Sequence, residues 1–343
     1  MCARVHFSGP ASYRLKSAAL LSRTIPEVCL RRSLHGARRP SWNLNLELGT
    51  EIIKRQLMVA FQMTDPQEAR SYLDSIALSS GHTSEVGIHR IEHENFRGSW
   101  FLPKERAQDR VIFYLHGGGY SFFPRSFYDD FTALLATMTR ARVFTLDYGL
   151  APEHRFPAQL MEASAAYLWL LESGIAPEHL SVVGDSAGGN LTLSLMLSLR
   201  DARSALPAIA VCLSPATDFS LTALDASELD WITPEMALGW AEWFCSALER
   251  TNPLVSPIYG DFRGLPPICI QAGGAEMLLP CIRDFAAHAQ SQGADVKLDV
   301  WPDMPHVFQA FGTQTPQSMA ALEKIAEVIA ASSPKSKAAA SKL

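Results

Sequence analysis

The chain has 343 residues, 48% hydrophobic and 19% charged, which suits a sizeable core and excludes wholesale disorder. The formal net charge of −5 argues against a general nucleic-acid scaffold. No apolar run is long enough to predict a membrane-spanning helix. Six cysteines (Cys2, Cys29, Cys212, Cys245, Cys269, Cys281) are scattered without CxxC spacing. This favours neither a disulfide framework nor a zinc site and fits a reduced compartment.

Residues 1–39 hold eight basic side chains (Arg4, Arg14, Lys16, Arg23, Arg31, Arg32, Arg38, Arg39) and one acid, Glu27. Their net charge is +7, which leaves −12 for residues 40–343. An acid-poor start with Arg and Ser is similar to a mitochondrial transit segment. The plainer expectation is a basic surface arm over residues 1–40, packed on or trailing from an acidic body, because no clean amphipathic helix stands out. No apolar stretch suggests a secretory signal.

Over residues 41–84, Leu44, Leu48, Ile52, Leu57 and Phe61 recur at helical spacing. A second short helix runs through Ala69, Tyr72 and Leu73 after Pro66. These helices are expected to form part of a cap. Residues 86–102 alternate like a β-hairpin. Residues 110–115 are a short apolar run entering a glycine-rich loop, the pattern of a buried strand. Further strands are predicted at 142–146, 179–183, 208–213, 267–271 and 296–300, and helices at 158–173, 187–200 and 280–291. Such alternation predicts an α/β fold with a mostly parallel sheet and helices on both faces. Residues 219–256 interrupt it with Trp231, Met236, Leu238, Trp240, Trp243 and Phe244. They are expected to be a helical cap insertion over a pocket, or else helical packing at the sheet edge. The hydrolytic unit then covers 85–330, and 331–343 is a polar tail ending Ser341-Lys342-Leu343. That tripeptide is the peroxisomal address, so the import receptor is an expected partner.

Gly184-Asp185-Ser186-Ala187-Gly188-Gly189 stands between an apolar strand and a helix. It matches the G-x-S-x-G elbow, in which a strained turn projects a serine hydroxyl beside a helix N-terminus. His116-Gly117-Gly118-Gly119 follows the 110–115 strand. Successive glycines let main-chain amides approach a developing oxyanion, and His116 is expected to anchor that loop. A serine nucleophile needs a base and a carboxylate to orient it, in the chain order serine, acid, histidine. His306, after the strand at 296–300, fits; His288 lies in a helix, and His154 and His179 precede the serine. Glu276, just past the strand at 267–271, is the preferred acid, with Asp284 and Asp303 as alternatives.

His116-Gly117-Gly118-Gly119, the segment Asp147–Ala158 and the Gly-Asp-Ser-Ala-Gly-Gly run occur in this order. Over roughly residues 85–330 the chain resembles the hormone-sensitive-lipase-like α/β-hydrolases. The region before residue 85 is similar to the N-terminal helices of fungal members from secondary-metabolite pathways. The resemblance implies an α/β-hydrolase fold with Ser186 as nucleophile, His306 as base and Glu276 as acid. It also implies an oxyanion hole from the amides of Gly118, Gly119 and Ala187. Glu276-Met277-Leu278 stands where the family frequently has Asp-Pro-Leu. The Asp147–Ala158 segment reads as a scaffold for the His-Gly loop. The implied activity is a serine carboxylesterase acting on a small or medium acyl ester without metal or organic cofactor. Thioesterase, lactonase or acyltransferase chemistry on the same triad is the alternative, and a non-catalytic receptor on this scaffold a further one.

Overall fold

The computed structural model describes residues 4–334 apart from 108, 124–127, 222, 223 and 225. The tail residues Ser341, Lys342 and Leu343 therefore lie outside the described residues. The first elements are β1 (Arg4–Phe7) and α1 (Ala11–His35), a helix of 25 residues where the sequence shows no clear amphipathic pattern. Its buried stripe is Ser17, Leu21, Thr24 and Val28. The spacing is helical, but alternate members are small and polar, so hydrophobic periodicity barely registers. Ser17 Oγ meets Ser75 Oγ at 2.8 Å, which pairs one of these buried hydroxyls.

Helix α1 packs on α2 (Leu44–Phe61), whose cap residue Asn43 accepts the Leu46 N–H at 2.8 Å. The contact explains the lopsided charge. Glu47 of α2 is buried and accepts from the guanidinium groups of Arg31 and Arg32 and from the Arg38 N–H, the last at 2.9 Å. Glu51 accepts from Arg38 at 3.1 Å and from Arg55 at 2.6 Å, and Arg55 also meets Glu27 at 2.7 Å. The next element, α3 (Pro66–Leu73), is capped by Asp65, and β2 (Ile76–Ser79) pairs antiparallel with β1.

The sheet follows from strand composition. The hairpin β3 (Val86–His93) and β4 (Phe96–Pro103) alternates and forms one edge. The strand β5 (Val111–Leu115) is buried at every position, as a strand covered on both faces must be. After it come α4 (Asp129–Thr139), β6 (Arg142–Leu146), α5 (Ala158–Glu172), β7 (Leu180–Asp185) and α6 (Ala187–Asp201). The chain continues through β8 (Ile209–Leu213), α7 (Pro234–Phe244), β9 (Ile268–Gly273), α8 (Leu279–Ser291), β10 (Val296–Trp301) and α9 (Pro316–Ser332). Among the described residues, eight strands form one sheet in the order β3-β4-β6-β5-β7-β8-β9-β10. It is parallel from β6 to β10 and antiparallel at the β3–β4–β6 edge. Helices flank it: α4 packs with α9, and α5 with α6.

Within residues 219–256, α7 supplies the long helical stretch, and Trp231 precedes it at a bend. Trp240 and Trp243 of α7 pack on Phe61 of α2 and on Phe122, with ring centroids between 5.4 and 6.4 Å. The insertion and the N-terminal helices thus meet above the carboxyl ends of the strands, where α/β sheets carry their sites.

Removing the carboxylate that pairs two arginines should loosen this N-terminal layer. Glu47→Ala is expected to cost about 1.5–3 kcal/mol in urea unfolding. A change below about 0.5 kcal/mol would show that the arginine cluster does not anchor α1.

Candidate active site

Ser186 begins the turn between β7 and α6 with φ 52° and ψ −117°, a conformation costly for any residue with a side chain. Backbone bonds hold it there. Its N–H donates to Leu213 O at 2.8 Å, and its carbonyl accepts from Asn190 N at 3.0 Å and Ala216 N at 3.1 Å. Two residues on, α6 runs so close to β5 that a Cβ on Gly188 would collide with Leu115 O. The small residues of the motif therefore serve helix–strand approach.

The loop after β10 brings the His306 imidazole to this serine, with Nε2 2.9 Å from Ser186 Oγ. Glu276, in the turn after β9, places Oε2 3.5 Å from His306 Nδ1. That separation is an ion-pair contact slightly longer than a formed hydrogen bond, a spacing common before substrate binds. The two loops are tied to each other: Gly274 N donates to Trp301 O at 2.6 Å and Ala275 N to Met304 O at 3.0 Å. Burial lowers the proton affinity of His306, but the Glu276 carboxylate, helped by the charges of Asp230 and Asp185, outweighs it. The imidazole consequently titrates above its ordinary value.

The other candidates lie elsewhere. His288 contacts Gly260 O at 3.0 Å and Gln292 at 2.9 Å. Asp284 is exposed on α8. Asp303 turns to the N-terminal segment, accepting from Ser41 Oγ at 3.1 Å and facing Arg39 at 3.5 Å. His179 sits at the amino end of β7, and His154 is packed beside Gly149.

The glycine loop faces the serine. Gly118 adopts φ +102°, where a Cβ would also strike Phe122 O, so only glycine fits. Its carbonyl accepts from Ser121 N and Phe122 N at 3.0 and 2.8 Å, folding the loop back on itself. Gly117 N is committed to Asp185 Oδ1 at 2.9 Å. Among the described residues, the amides of Gly118, Gly119 and Ala187 donate to no acceptor. His116 stacks flat on Tyr148, with centroids 4.2 Å apart, and Tyr148 Oη donates to His116 O at 2.6 Å. Ala151 N donates to Tyr120 O at 2.8 Å, and Arg70 of α3 reaches Ala151 O at 2.6 Å. The Asp147–Ala158 segment thereby touches the loop at both of its ends.

Asp185 joins the two motifs. Its buried carboxylate accepts from Gly117 N, from Tyr114 Oη at 2.5 Å and from Tyr128 Oη at 3.1 Å. Burial pushes it up to about 6, against the pull of those donors. A cavity of about 190 Å³ is lined by Ser186, Gly118, Phe123 and Trp231 and by the aliphatic side chains of Ile52, Ile53 and Ile76. Ser80, His82, Asp130 and Thr313 add polar groups to its lining. Among the described residues, no group of three or more His, Cys, Asp or Glu side chains is placed to hold a metal ion, and no helix is long and apolar enough to cross a membrane.

A family model described as alpha/beta hydrolase fold matches residues 112–310. The chain belongs to this family. An acetyl-hydrolase of Streptomyces hygroscopicus is 36% identical over 229 residues, 65% of this chain and 76% of that one. An esterase of Acinetobacter venetianus is 30% identical over 76% of this chain and 88% of its own. An esterase from the bacterial hormone-sensitive lipase family superposes with a TM-score of 0.69 at 30% identity, covering 91% of this chain and 97% of that structure. A hormone-sensitive lipase from a metagenome library gives 0.72 at 30% identity, with 82% and 97% covered. These relatives place the α/β-hydrolase among the hormone-sensitive-lipase-like carboxylic-ester hydrolases.

Sequence reading passed over Asp230 and named Trp231 only as part of the 219–256 insertion; Asp230 meets His306 and Met277, and Trp231 meets His306. One acid among the six in residues 219–256 carries no spacing signal. Only the three-dimensional approach of that insertion to the histidine loop marks it.

Replacing Asp185 by Asn sets an amide N–H against one of its present donors. Asp185→Asn is expected to lower stability by about 1–3 kcal/mol in urea titration. Wild-type stability in that variant would mean that the carboxylate does not hold the elbow to the glycine loop.

Proposed function

We propose that this α/β-hydrolase cleaves a small or medium acyl ester through an acyl-enzyme on Ser186. The observation that carries the reading is the 2.9 Å contact between His306 Nε2 and Ser186 Oγ at the strained turn. His306 takes the serine proton as the oxygen attacks the ester carbonyl. Glu276 orients the imidazole and balances its positive charge. The amides of Gly118, Gly119 and Ala187 are directed at the anionic oxygen of the tetrahedral intermediate, where one such donor is worth about 2.7–4 kcal/mol. The imidazolium then protonates the leaving alcohol, and water, activated by the same histidine, releases the acid. An apolar cavity of about 190 Å³ suits a short or medium chain better than a long one. The acetyl-hydrolase and esterase relatives support the same substrate class. A receptor role is disfavoured because the base stands within bonding reach of the nucleophile.

The cellular setting we infer is the peroxisome of a fungal-type secondary-metabolite pathway. Support comes from the terminal Ser341-Lys342-Leu343 and from the N-terminal helical region. Fusion of the last dozen residues to a fluorescent protein should give punctate peroxisomal signal; diffuse signal would remove this assignment.

A fluorophosphonate probe should label the wild type and not Ser186→Ala. An unlabelled wild type would favour the receptor reading. Turnover of acyl-CoAs but not of p-nitrophenyl esters would transfer the chemistry to thioesters.

The base acts only when neutral, so kcat/KM should rise with pH through the raised value of His306 and then level off. Glu276→Gln removes the carboxylate that raises this value. Its acid limb should move to lower pH while kcat falls by about 10²–10⁴-fold. An unmoved limb would exclude Glu276 as the partner of the base.

A further inference from the structure

One buried carboxylate beside the site has no part in the chemistry just described. Asp230 is fully buried in the stretch leading to α7. Its Oδ2 accepts the Met277 N–H at 2.8 Å, next to Glu276. Its Oδ1 accepts the His306 N–H at 3.1 Å and the Trp231 N–H at 2.8 Å. Trp231 completes the grip, because its indole Nε1 donates to His306 O at 2.7 Å. A single dipeptide therefore holds the histidine by both of its backbone groups and the acid loop by an amide.

The histidine loop requires such a hold. Val307 has φ 46° and ψ 41°, a left-handed conformation that a β-branched residue strongly disfavours. Backbone of this kind persists where its surroundings over-determine it. Here the restraints are Asp230 and Trp231 on His306, and Ser214 Oγ accepting the Val307 N–H at 3.1 Å. Trp231 lines the cavity and Asp230 does not, so the carboxylate does not meet substrate.

We propose that Asp230, with Trp231, is a positioning device of the ester-cleaving reaction: one buried carboxylate sets the spacing between the base loop and the acid loop. The inference rests on the reading of Ser186, Glu276 and His306 as the catalytic set. Burial pushes Asp230 up to about 6, against the pull of His306 and its N–H donors, and every hydrogen-bond partner of its side chain among the described residues is an N–H group that a carboxylate accepts. The titratable groups facing it are His306 and Glu276, and Lys54 of α2 meets the segment through Asp230 O at 3.1 Å. An aspartate suits the place because its two oxygens serve amides of two different loops. An asparagine presents one acceptor and turns an N–H against the other amide.

The test uses the full chain and p-nitrophenyl butyrate. For Asp230→Asn, kcat should fall about 10–100-fold with KM within about twofold, as expected when catalytic groups are misplaced rather than lost. The acid limb of the pH profile should move to lower pH, because a negative charge near His306 is gone. Unchanged kcat and pH profile in a folded Asp230→Asn protein would overturn the proposal, and so would raised KM at unchanged kcat. Should that variant fail to fold, Trp231→Phe decides: it deletes only the indole N–H from the grip and should lower kcat about 3–10-fold. Wild-type kcat in Trp231→Phe would overturn the proposal. Fluorophosphonate labelling of the wild type separates the two levels. An unlabelled wild type sinks the catalytic set itself, whereas a labelled wild type with a fully active Asp230→Asn variant sinks only the positioning role.

Discussion

The left-handed turn at Ser186 is the constraint around which the molecule is arranged. It points the hydroxyl away from the sheet, and it does so against the backbone preference of a residue with a side chain. Three backbone hydrogen bonds from neighbouring segments keep it in place. Close approach of α6 to β5 leaves no room for a Cβ at Gly188. The carboxylate of Asp185 then fastens the glycine loop to the same turn. Ser186, the glycine loop and the ends of two central strands are thus joined in one hydrogen-bonded unit.

His306 and Glu276 come from a second unit, the loops after β9 and β10, which are laced together through Gly274 and Ala275. A flexible assembly would let the imidazole wander from the serine. Here its ring is buried, its backbone is held on both sides, and the following residue is kept in a strained conformation. Part of the cost of folding is therefore concentrated where geometry matters most to the reaction.

Much of this was legible in the order of residues. The alternation of apolar runs and helical stripes marked the strands β5 to β10, because buried parallel strands have few ways to be written. The motifs around Gly118 and Ser186 announced themselves, since close backbone approach demands glycines in a fixed pattern. The chain order serine, acid, histidine separated His306 from His154 and His179, and its loop position separated it from His288. Helix α1 was not legible, because its buried face alternates Ser17 and Thr24 with Leu21 and Val28. The pairing of basic and acidic side chains between α1 and α2 likewise needs three dimensions. Asp230 was silent for the same reason: its partners stand 47 and 76 positions away.

The segment between α1 and α2 is joined to a far part of the chain. Trp42 Nε1 donates to Asp303 O at 2.8 Å, across 261 positions, and Asn43 Nδ2 donates to Gln314 O at 2.8 Å, across 271. During synthesis this strap leaves the ribosome long before the loop it fastens exists. Helices α1 and α2 can cover Ile52 with Leu21 and Ile76 from their own layer, but the bonds of Trp42 and Asn43 wait until the chain reaches Asp303 and Gln314. The wall made first is the last to be closed, and a truncated translation product has no finished chamber in which to do chemistry.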